Sequence, residues 1–479
     1  MKYRYSDIYY MADPEVSTRL IGDQEAVLFD PDTGKEKYIN LTGLFVWGRL
    51  DGSFSVREIV ESVRKGFASA PAEKTFEDVI HFVDDLSQQG FVSTRKTGSQ
   101  RAGDIREYPD IKDSPKSVDI SITGRCNLRC RYCFYTDEMQ SRQDLPFEEW
   151  LTFFEELGSL AVRTVSLSGG EIFTRPDLWE LIDGVIANRM RYSLLTNGTL
   201  ITKDIVGAFQ RGKRRKRLDS IQVSIDGSCP EVHDKSRGQG SFDKAIRGLR
   251  LLKDAGLPVT SRVTVNRHNV DDLENIARLL LDDVGLHSFG TNDAMPMGAG
   301  CFNQESITLT PGQQLKTMES LSRLAEIYDG RVTATAGPLA RWRSYRKMEH
   351  ARITCEKTNR WHMGYLTACG GVFNKLAVHH DGKITPCHIL MKLELGRINT
   401  HSFREIWKKD VTLEALRERR QIPMSRVQGC GDCEWAPYCN GGCPGLAYEM
   451  TGGFDMANPH DCYRQFLEET QGLSFVSAQ

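Results

Sequence analysis

The distribution of apolar and polar positions predicts the secondary structure of the middle of the chain. From Ser117 to about Ala336, short apolar runs alternate with longer segments in which apolar residues recur every three or four positions. The short runs are typical of buried strands and the longer segments of amphipathic helices. Such alternation predicts βα units and a parallel sheet. The expected strands are Val118–Ile122, Thr164–Leu167, Tyr192–Leu195, Ser220–Ile225, Val259–Val265 and His287–Thr291, with helices at Phe147–Leu157, Leu178–Asn188, Phe242–Ala255 and Asp271–Leu281.

The first 95 residues show a different pattern and predict a small separate domain. Two short strands, Ala26–Asp30 and Glu36–Asn40, are expected on either side of a turn sequence with Pro and Gly. Ser55 and Glu58 predict a capping box at the start of a helix. The helices expected here are Leu41–Leu50, Val56–Gly66 and Thr75–Gln89, followed by a strand at Phe91–Thr94.

Length and charge limit the possible partners. A chain of 479 residues predicts two to four domains. The 62 basic and 64 acidic residues give a net charge of −2, which argues against nucleic acid or an anionic membrane as a partner. The basic run Arg211–Arg217 is therefore expected to be a solvated loop. Without a signal peptide or a membrane-spanning apolar run, the protein is expected to be cytoplasmic.

Ten of the 13 cysteines fall into two groups. In a cytosolic chain they are not expected to form disulfides, because that compartment keeps thiols reduced. Metal binding is the better interpretation. Cys126, Cys130 and Cys133 form a compact C-x3-C-x2-C loop directly after a predicted strand. Three thiolates cannot complete a four-coordinate site, so one position must be filled from elsewhere. The alternative is a zinc loop that borrows a distant fourth ligand.

The three-cysteine loop resembles that of the radical S-adenosylmethionine (SAM) enzymes, including Tyr132 just before the third cysteine. The resemblance implies that Cys126, Cys130 and Cys133 hold a [4Fe–4S] cluster whose fourth iron is chelated by the amino and carboxylate groups of SAM. It also implies a partial (β/α)6 barrel with functional groups at the carboxyl ends of the strands. In this family the reduced cluster cleaves SAM to methionine and a 5′-deoxyadenosyl radical.

Three further motifs follow successive predicted strands and strengthen the resemblance: Gly169-Gly170-Glu171, the turn Thr196–Gly198, and Ser224–Gly227. A proline commonly follows the glutamate in this family, whereas Ile172 stands here. Arginine suits a carboxylate partner because its guanidinium pairs through two hydrogen bonds. The residues that the resemblance assigns to SAM binding are Tyr132, Gly169, Gly170, Glu171, Ser224, Asp226 and Arg237, the last of these with the SAM carboxylate.

The second group contains seven cysteines, too many for one zinc site and suited to two clusters. Its spacing resembles the SPASM domain. The resemblance implies an outer auxiliary [4Fe–4S] cluster on Cys430, Cys433, Cys439 and Cys462, and an inner one on Cys369, Cys387 and Cys443. Cys355 is the first candidate for the inner cluster's fourth ligand and Cys301 the second; otherwise that iron is open to substrate. His379, His380 and His388 are expected near the cysteines without binding iron.

The N-terminal region resembles the PqqD-like peptide-recognition domain, in segments such as Glu25–Leu28, Tyr38–Asn40 and Leu86–Val92. This implies binding of the leader segment of a ribosomally made precursor peptide by strand addition. The alternative, a DNA-binding winged helix, is disfavoured because the helix Val56–Gly66 has no basic face. The domains are expected at 1–95, at 117–336 after a polar linker at 96–116, and at 337–479.

Over nearly its whole length the chain resembles the radical SAM/SPASM peptide maturases, with most similarity to the SynChlorMet-cassette type. This implies hydrogen abstraction from a precursor peptide to install a cross-link or related modification. It also implies an electron donor such as flavodoxin or ferredoxin. The alternatives are sulfatase-maturase-like oxidation of a protein Cys or Ser, and a non-catalytic Fe–S carrier or peptide chaperone, which would need no SAM motifs. No motif identifies a catalytic acid or base, the modified residue or the oligomeric state.

Overall fold

The computed structural model describes residues 8–67, 72–95, 108–135, 142–356 and 363–470. Its N-terminal region contains two three-stranded sheets, in the orders β5-β1-β6 and β2-β3-β4, packed with three helices around their own apolar core. The elements are β1 (Tyr9–Ala12), β2 (Ser17–Ile21), β3 (Glu25–Asp30), β4 (Lys35–Asn40), α1 (Leu41–Trp47), β5 (Asp51–Ser55), α2 (Val56–Gly66), α3 (Ala72–Gln88) and β6 (Val92–Arg95).

Local sequence signals account for part of this domain. The predicted capping box of α2 is confirmed, since Ser55 accepts a hydrogen bond from the Glu58 N–H and the Glu58 carboxylate accepts one from the Ser55 N–H. The predicted end of α1 at Leu50 is wrong by three residues. The Leu50 carbonyl accepts a hydrogen bond from the N–H of Ala12 in β1, a long-range contact that a local pattern does not reveal.

The middle of the chain builds the parallel sheet that the sequence predicts. All six expected strands are present, and β13 adds a seventh in the order β7 to β13. The elements are β7 (Ser117–Thr123), α4 (Phe147–Ser159), β8 (Thr164–Gly169), α5 (Leu178–Ala187), β9 (Arg191–Thr196), α6 (Lys203–Ala208), α7 (Arg214–Arg217), β10 (Leu218–Ser224), α8 (Pro230–Arg237), α9 (Ser241–Asp254), β11 (Val259–Val265), α10 (Leu273–Ala277), β12 (Phe289–Asp293), α11 (Ala299–Phe302), α12 (Gln304–Ile307), α13 (Pro311–Ile327) and β13 (Val332–Ala334). The α/β fold class is thereby confirmed.

The cysteine-rich C-terminal region continues the same sheet. Its elements are α14 (Pro338–Thr354), β14 (Lys375–Val378), β15 (Lys383–Thr385), β16 (Gly396–Arg397), α15 (Phe403–Lys409), α16 (Val411–Glu418), α17 (Pro444–Thr451) and α18 (Tyr463–Glu469). Strand β14 pairs in parallel with β7, and β15 and β16 follow antiparallel. Backbone hydrogen bonds therefore connect the two regions. In the ranges described, no helix is both long and apolar enough to cross a membrane.

The N-terminal domain docks onto the parallel sheet through ion pairs around α7. Arg217 is fully buried and bonds to both Asp32 and Glu15, and Lys216 contacts Asp32 at 2.7 Å. Burial raises the pKa of the Asp32 carboxyl, but hydrogen bonds from Lys216 and Arg217 outweigh this and lower it to about 2. The expectation that Arg211–Arg217 is a solvated loop is wrong for Arg217, because acidic residues of the N-terminal domain cover it.

A second set of contacts fixes the β3–β4 hairpin to the same surface. Glu36 pairs with Arg163 and, at 2.9 Å, with Lys116. The Arg163 guanidinium carbon also lies 5.3 Å from the centre of the Phe29 ring, within the range of cation–π contacts. The N-terminal domain is thus held by charge on one side and by an aromatic contact on the other.

Arg217→Met should lower the free energy of unfolding by about 2 kcal/mol, since the partly buried Asp32 and Glu15 lose their shared buried cation while Asp32 keeps Lys216 as a partner. Urea unfolding of the full chain measures this. The matched control is Arg211→Met, because Arg211 belongs to the same basic run but is exposed. Equal effects of the two substitutions would contradict a specific docking role for Arg217.

Candidate cofactor and cluster sites

The three-cysteine loop lies at the carboxyl end of β7, and its thiols approach one another. Burial raises the pKa of the Cys130 thiol to about 12; Arg237 opposes this shift, and Cys133 and Cys126 add to it. In the described parts of the chain, no three His, Cys, Asp or Glu side chains gather tightly enough to hold one metal ion. Cysteine thiolates are soft ligands that suit zinc and iron–sulfur clusters, and a set of three leaves one coordination position to be filled from elsewhere.

The backbone of two glycines at the end of β8 packs directly against this loop. The Gly170 N–H donates to the Thr123 carbonyl at 2.9 Å, and the Glu171 N–H donates to the Arg125 carbonyl at 2.7 Å. A Cβ on Gly169 would lie 2.3 Å from the Thr123 oxygen, and one on Gly170 would lie 2.1 Å from the Arg125 oxygen. Only glycine permits so close a backbone approach. The predicted SAM contacts of the two glycines stay predictions.

Glu171 is fully buried between the ends of β8 and β9. Its carboxylate accepts hydrogen bonds at 2.7 Å from the Thr196 hydroxyl and the Asn197 N–H, and at 3.2 Å from the Phe173 N–H. Burial raises its pKa, and these hydrogen bonds oppose the shift. Glu171 therefore ties two strand ends together. Its assignment to the SAM amino group stays a prediction.

Asn127 and Asp144 support the loop, although sequence reasoning missed both. The Asn127 side chain donates to the Thr199 hydroxyl at 2.8 Å and accepts from Asn197 at 2.9 Å. Asp144 accepts from the Gly124 N–H at 2.8 Å. Asn127 lies inside the cysteine motif, so its position could have indicated a role in the loop. Nothing in the sequence pairs Asp144 with Gly124, twenty residues earlier.

Tyr132, Asp226 and Arg237 come together beside the cysteine loop, as three of the seven predicted SAM residues. The Tyr132 hydroxyl donates to Asp226, and Arg237 donates to the same carboxylate oxygen at 2.6 Å. The Thr264 N–H holds the other oxygen at 2.7 Å. Burial opposes the charge of Arg237, but Asp226 outweighs it and raises the pKa of that guanidinium. Ser224 ends β10 two residues before Asp226.

His233 is a further buried residue of this site to which the sequence assigned no role. Its Nδ1 accepts a hydrogen bond from the Asp226 N–H at 3.1 Å. Burial and the nearby Arg237 lower its pKa to about 4, so the ring is neutral at physiological pH. His233 thus supports the backbone of Asp226, while Tyr132 and Arg237 contact its carboxylate.

The four cysteines of the outer set line a single small cavity. Cys430, Cys433, Cys439 and Cys462 surround a cavity of about 30 Å³, together with Trp435 and Tyr463, whose ring centres are 4.7 Å apart. A thiol-lined, apolar space of this kind fits an iron–sulfur cluster. Tertiary structure therefore brings together residues that are spread over 33 positions of the sequence, from 430 to 462.

The inner set also converges. Burial raises the pKa of the Cys387 thiol to about 11, and Cys443 and Cys369 add to the shift. Cys301 lies elsewhere: its segment packs on the three-cysteine loop, where the Ala299 N–H donates to the Cys133 carbonyl at 2.8 Å. Cys355 is exposed at the end of α14, and its role as fourth ligand stays a prediction.

Polar side chains connect the three-cysteine loop with the inner set. Ser121 of β7 contacts the hydroxyl of Tyr135, two residues beyond Cys133, and lies 3.1 Å from His388 Nε2. His388 follows Cys387 directly and stacks on His379, with ring centres 5.3 Å apart. The expectation that histidines lie near the ligand cysteines is met by His388, which bonds to Ser121.

A buried ion pair connects the carboxyl end of β12 with α14 and the segment before Cys462. Arg341 donates to Asp293 at 2.6 Å, and His460 Nε2 lies 3.3 Å from the same carboxylate oxygen. Burial would raise the pKa of Asp293, but Arg341 and His460 hold it well below its usual range. This carboxylate therefore stays ionised and joins the sheet to the outer cysteine set.

A larger cavity lies where β13, α14 and the outer cysteine loop meet. It measures about 530 Å³ and is lined by Ala334, Arg343, Met348, Tyr438 and Asn440, among others. Its size falls within the range of ligand pockets, roughly 300–1,000 Å³. Arg343 and Met348 lie on α14, so basic and apolar groups face the cavity from one helix.

Comparison with known families agrees with this geometry. Residues 120–280 match the radical SAM superfamily, residues 25–92 match Coenzyme PQQ synthesis protein D (PqqD), and residues 369–434 match the SPASM iron–sulfur cluster-binding domain. The resemblance drawn from the motifs is thereby confirmed, and so is the prediction of an enzyme. The matches support [4Fe–4S] and SAM as cofactors.

Individual relatives cover much of the chain. An AdoMet-dependent heme synthase of Methanosarcina barkeri is 29% identical over 362 residues, 74% of this chain and 98% of that protein. The mycofactocin maturase MftC of Mycobacterium ulcerans is 27% identical over 74% of this chain and 89% of its own length. Streptococcus suis SuiB, in a crystal structure with its precursor peptide SuiA, shares the fold with a TM-score of 0.64 at 13% identity, over 95% of this chain and all of SuiB.

Gly170→Ala should remove about four irons per chain, because the added methyl group displaces the Arg125 carbonyl and with it the cysteine loop. Iron analysis of anaerobically reconstituted protein measures the loss. Gly207→Ala is the control, since nothing lies within 4 Å of the position its Cβ would take. Full iron in the Gly170 variant would show that the loop tolerates the displacement.

Proposed function

We propose that this radical SAM enzyme modifies a ribosomally made precursor peptide, which it binds through the leader, and installs a cross-link or related modification. The observation that carries the proposal is the buried group of Tyr132, Asp226 and Arg237 beside the three-cysteine loop, in a chain that also has a PqqD domain. Cys126, Cys130 and Cys133 would hold a [4Fe–4S] cluster, which when reduced would supply the electron for SAM cleavage and so the means to abstract hydrogen from an unactivated C–H bond.

The protein's own residues bind and orient the cofactors. Cys126, Cys130 and Cys133 supply three ligands. Arg237 is held as a cation by Asp226, and a fixed cation is suited to the carboxylate of SAM. Asp226 and Arg237 are buried, so their ion pair is shielded from solvent at the position proposed for SAM.

The outer edge of β4 is the proposed binding site of the leader. Backbone hydrogen bonds already occupy the opposite edge of that sheet, since the Leu20 N–H donates to the Pro109 carbonyl at 2.8 Å and the Ile111 N–H donates to the Leu20 carbonyl at 2.8 Å. In the described ranges β4 has one strand partner, β3, and its Tyr38 is 64% exposed. An extended peptide can add to such an edge through its backbone.

The cavity of about 530 Å³ supports a place for the modified segment beyond the strand ends. The proposal further includes two auxiliary [4Fe–4S] clusters on the seven C-terminal cysteines, with Cys355 as a ligand. It also includes domains at 1–95, 117–336 and 337–479, and an external electron donor such as flavodoxin or ferredoxin. Reduction of a cluster requires an external electron donor of sufficiently low potential.

The test is anaerobic turnover with a reductant, SAM and a candidate precursor peptide, chosen from short reading frames next to this gene. We expect 5′-deoxyadenosine together with a mass change in the peptide, and loss of both in the Cys126→Ala/Cys130→Ala/Cys133→Ala variant. Tyr38→Ala should weaken peptide binding about fivefold while SAM cleavage without peptide is retained. Because one relative is a heme synthase, Fe-coproporphyrin is the comparison substrate. Its conversion in place of the peptide would overturn the proposal.

Arg237→Lys should weaken SAM binding by roughly tenfold, because a lysine keeps the charge but loses the planar fork that Asp226 orients. Equilibrium dialysis of the iron-loaded protein with SAM measures the affinity. Arg129→Lys is the matched control, since Arg129 belongs to the same loop but is exposed. An unchanged affinity in the Arg237 variant would remove this residue from the SAM site.

A further inference from the structure

One buried arginine of the described structure differs from all the others in its surroundings. The arginines that are at least nine-tenths buried are Arg19, Arg163, Arg175, Arg214, Arg217, Arg237, Arg341 and Arg419. Six of them form ion pairs with carboxylates. For Arg19, burial and the nearby Arg163 lower the pKa to about 10, and the carboxylates of Asp110 and Asp113 oppose that shift. Among the described residues, Arg419 has neither an ion-paired carboxylate nor a nearby carboxylate that raises its pKa. A buried cation without a counter-charge is costly.

The hydrogen bonds of Arg419 go entirely to backbone carbonyls. Its side chain is 1% exposed in the structure as a whole. It donates to the carbonyls of Phe454 at 2.8 Å, of Met456 at 2.6 Å, and of Thr367. Carbonyl oxygens satisfy the N–H groups but carry no net charge. The N–H groups of Arg419 therefore have hydrogen-bond acceptors, whereas its positive charge has no negative partner among these groups.

The groups of opposite sign around Arg419 are cysteines of both auxiliary sets. Burial lowers the pKa of its guanidinium to about 10, and the thiols of Cys443, Cys369 and Cys439 are what oppose that shift. Cys443 and Cys369 belong to the inner set, and Cys439 belongs to the outer one. Backbone geometry agrees, because Thr367 precedes Cys369 by two residues and its N–H donates at 2.7 Å to the carbonyl of Asn440, next to Cys439.

We infer that Arg419 is the shared counter-charge of the two auxiliary clusters and raises their reduction potentials. The inference rests on the proposed assignment of these cysteines to clusters. Thiolates carry the negative charge that the carboxylates supply to the other buried arginines. A nearby cation stabilises the reduced form, which is the more negative one, and so makes each cluster easier to reduce. Arg419 is thus a positioning and tuning residue that does not touch the substrate.

The first experiment measures potentials in the Cys126→Ala/Cys130→Ala/Cys133→Ala background, where the auxiliary clusters are observed alone by electron paramagnetic resonance during redox titration. Arg419→Gln should shift both midpoint potentials to lower values. Arg419→Lys keeps the positive charge, so its midpoint potentials should lie close to those of the parent protein. Arg417→Gln is the control, because Arg417 also donates to a backbone carbonyl, that of Val372, but pairs with Glu414. Unchanged midpoints in Arg419→Gln would overturn the inference.

The second experiment separates charge pairing from a purely structural role. In iron-free protein, Arg419→Gln and Arg419→Lys should both lower the melting temperature, because the buried carbonyls of Phe454, Met456 and Thr367 lose hydrogen bonds. In iron-loaded protein, the loss of iron to a chelator should be about tenfold faster in Arg419→Gln than in Arg419→Lys, because only the lysine keeps a positive charge beside the thiolates. Equal rates of iron loss in the two variants would indicate a purely structural role and overturn the inference.

These outcomes are distinct from failure of the proposed function. In the triple-alanine background, about eight irons per chain are expected if both auxiliary clusters form. A parent protein that reaches only about four irons would refute the two-cluster assignment, and with it the premise of a shared counter-charge. A parent with eight irons whose potentials and iron retention do not respond to Arg419 would refute the inference alone.

Discussion

The close backbone contact between the end of β8 and the three-cysteine loop is the constraint on which the rest of the site depends. Two backbone hydrogen bonds and two glycines without room for a Cβ fix the loop against the sheet. Glu171 extends this contact to β9, and Asn127 returns from the loop to the same turn. The loop is thereby positioned by strand ends, which are held by the close-packed core beneath them.

Buried charge pairs join separate parts of the chain. Arg217 connects the N-terminal domain to the sheet, Arg237 connects α8 to the turn after β10, and Arg341 connects α14 to β12. In each pair burial is unfavourable for both ions, so the two partners must stay in contact. Such pairs hold their segments at one relative position, which keeps the side chains at the strand ends in a fixed arrangement.

The three-cysteine loop and the cysteine-rich C-terminal region share one continuous framework. Strand β14 adds the cysteine-rich region to the parallel sheet beside β7, the strand that leads into the three-cysteine loop. Ser121 of β7 then contacts both Tyr135 and His388, next to ligands of two different cysteine sets. The separation between the sets is therefore determined by strand pairing and buried hydrogen bonds, and it does not depend on a flexible linker.

The sequence by itself determined the class of fold and the two groups of closely spaced cysteines, because strand and helix periodicity and cysteine spacing are local properties. It located the six strands, the capping box of α2 and the motifs at the strand ends. Only the tertiary structure decided what the buried charges do. The basic run around Arg217 was expected to be solvated, and Arg419 carried no motif at all. Their partners lie far away in sequence, Asp32 in one case and the two cysteine sets in the other. Long-range charge pairing is determined by the packing of distant segments, so local sequence patterns do not predict it.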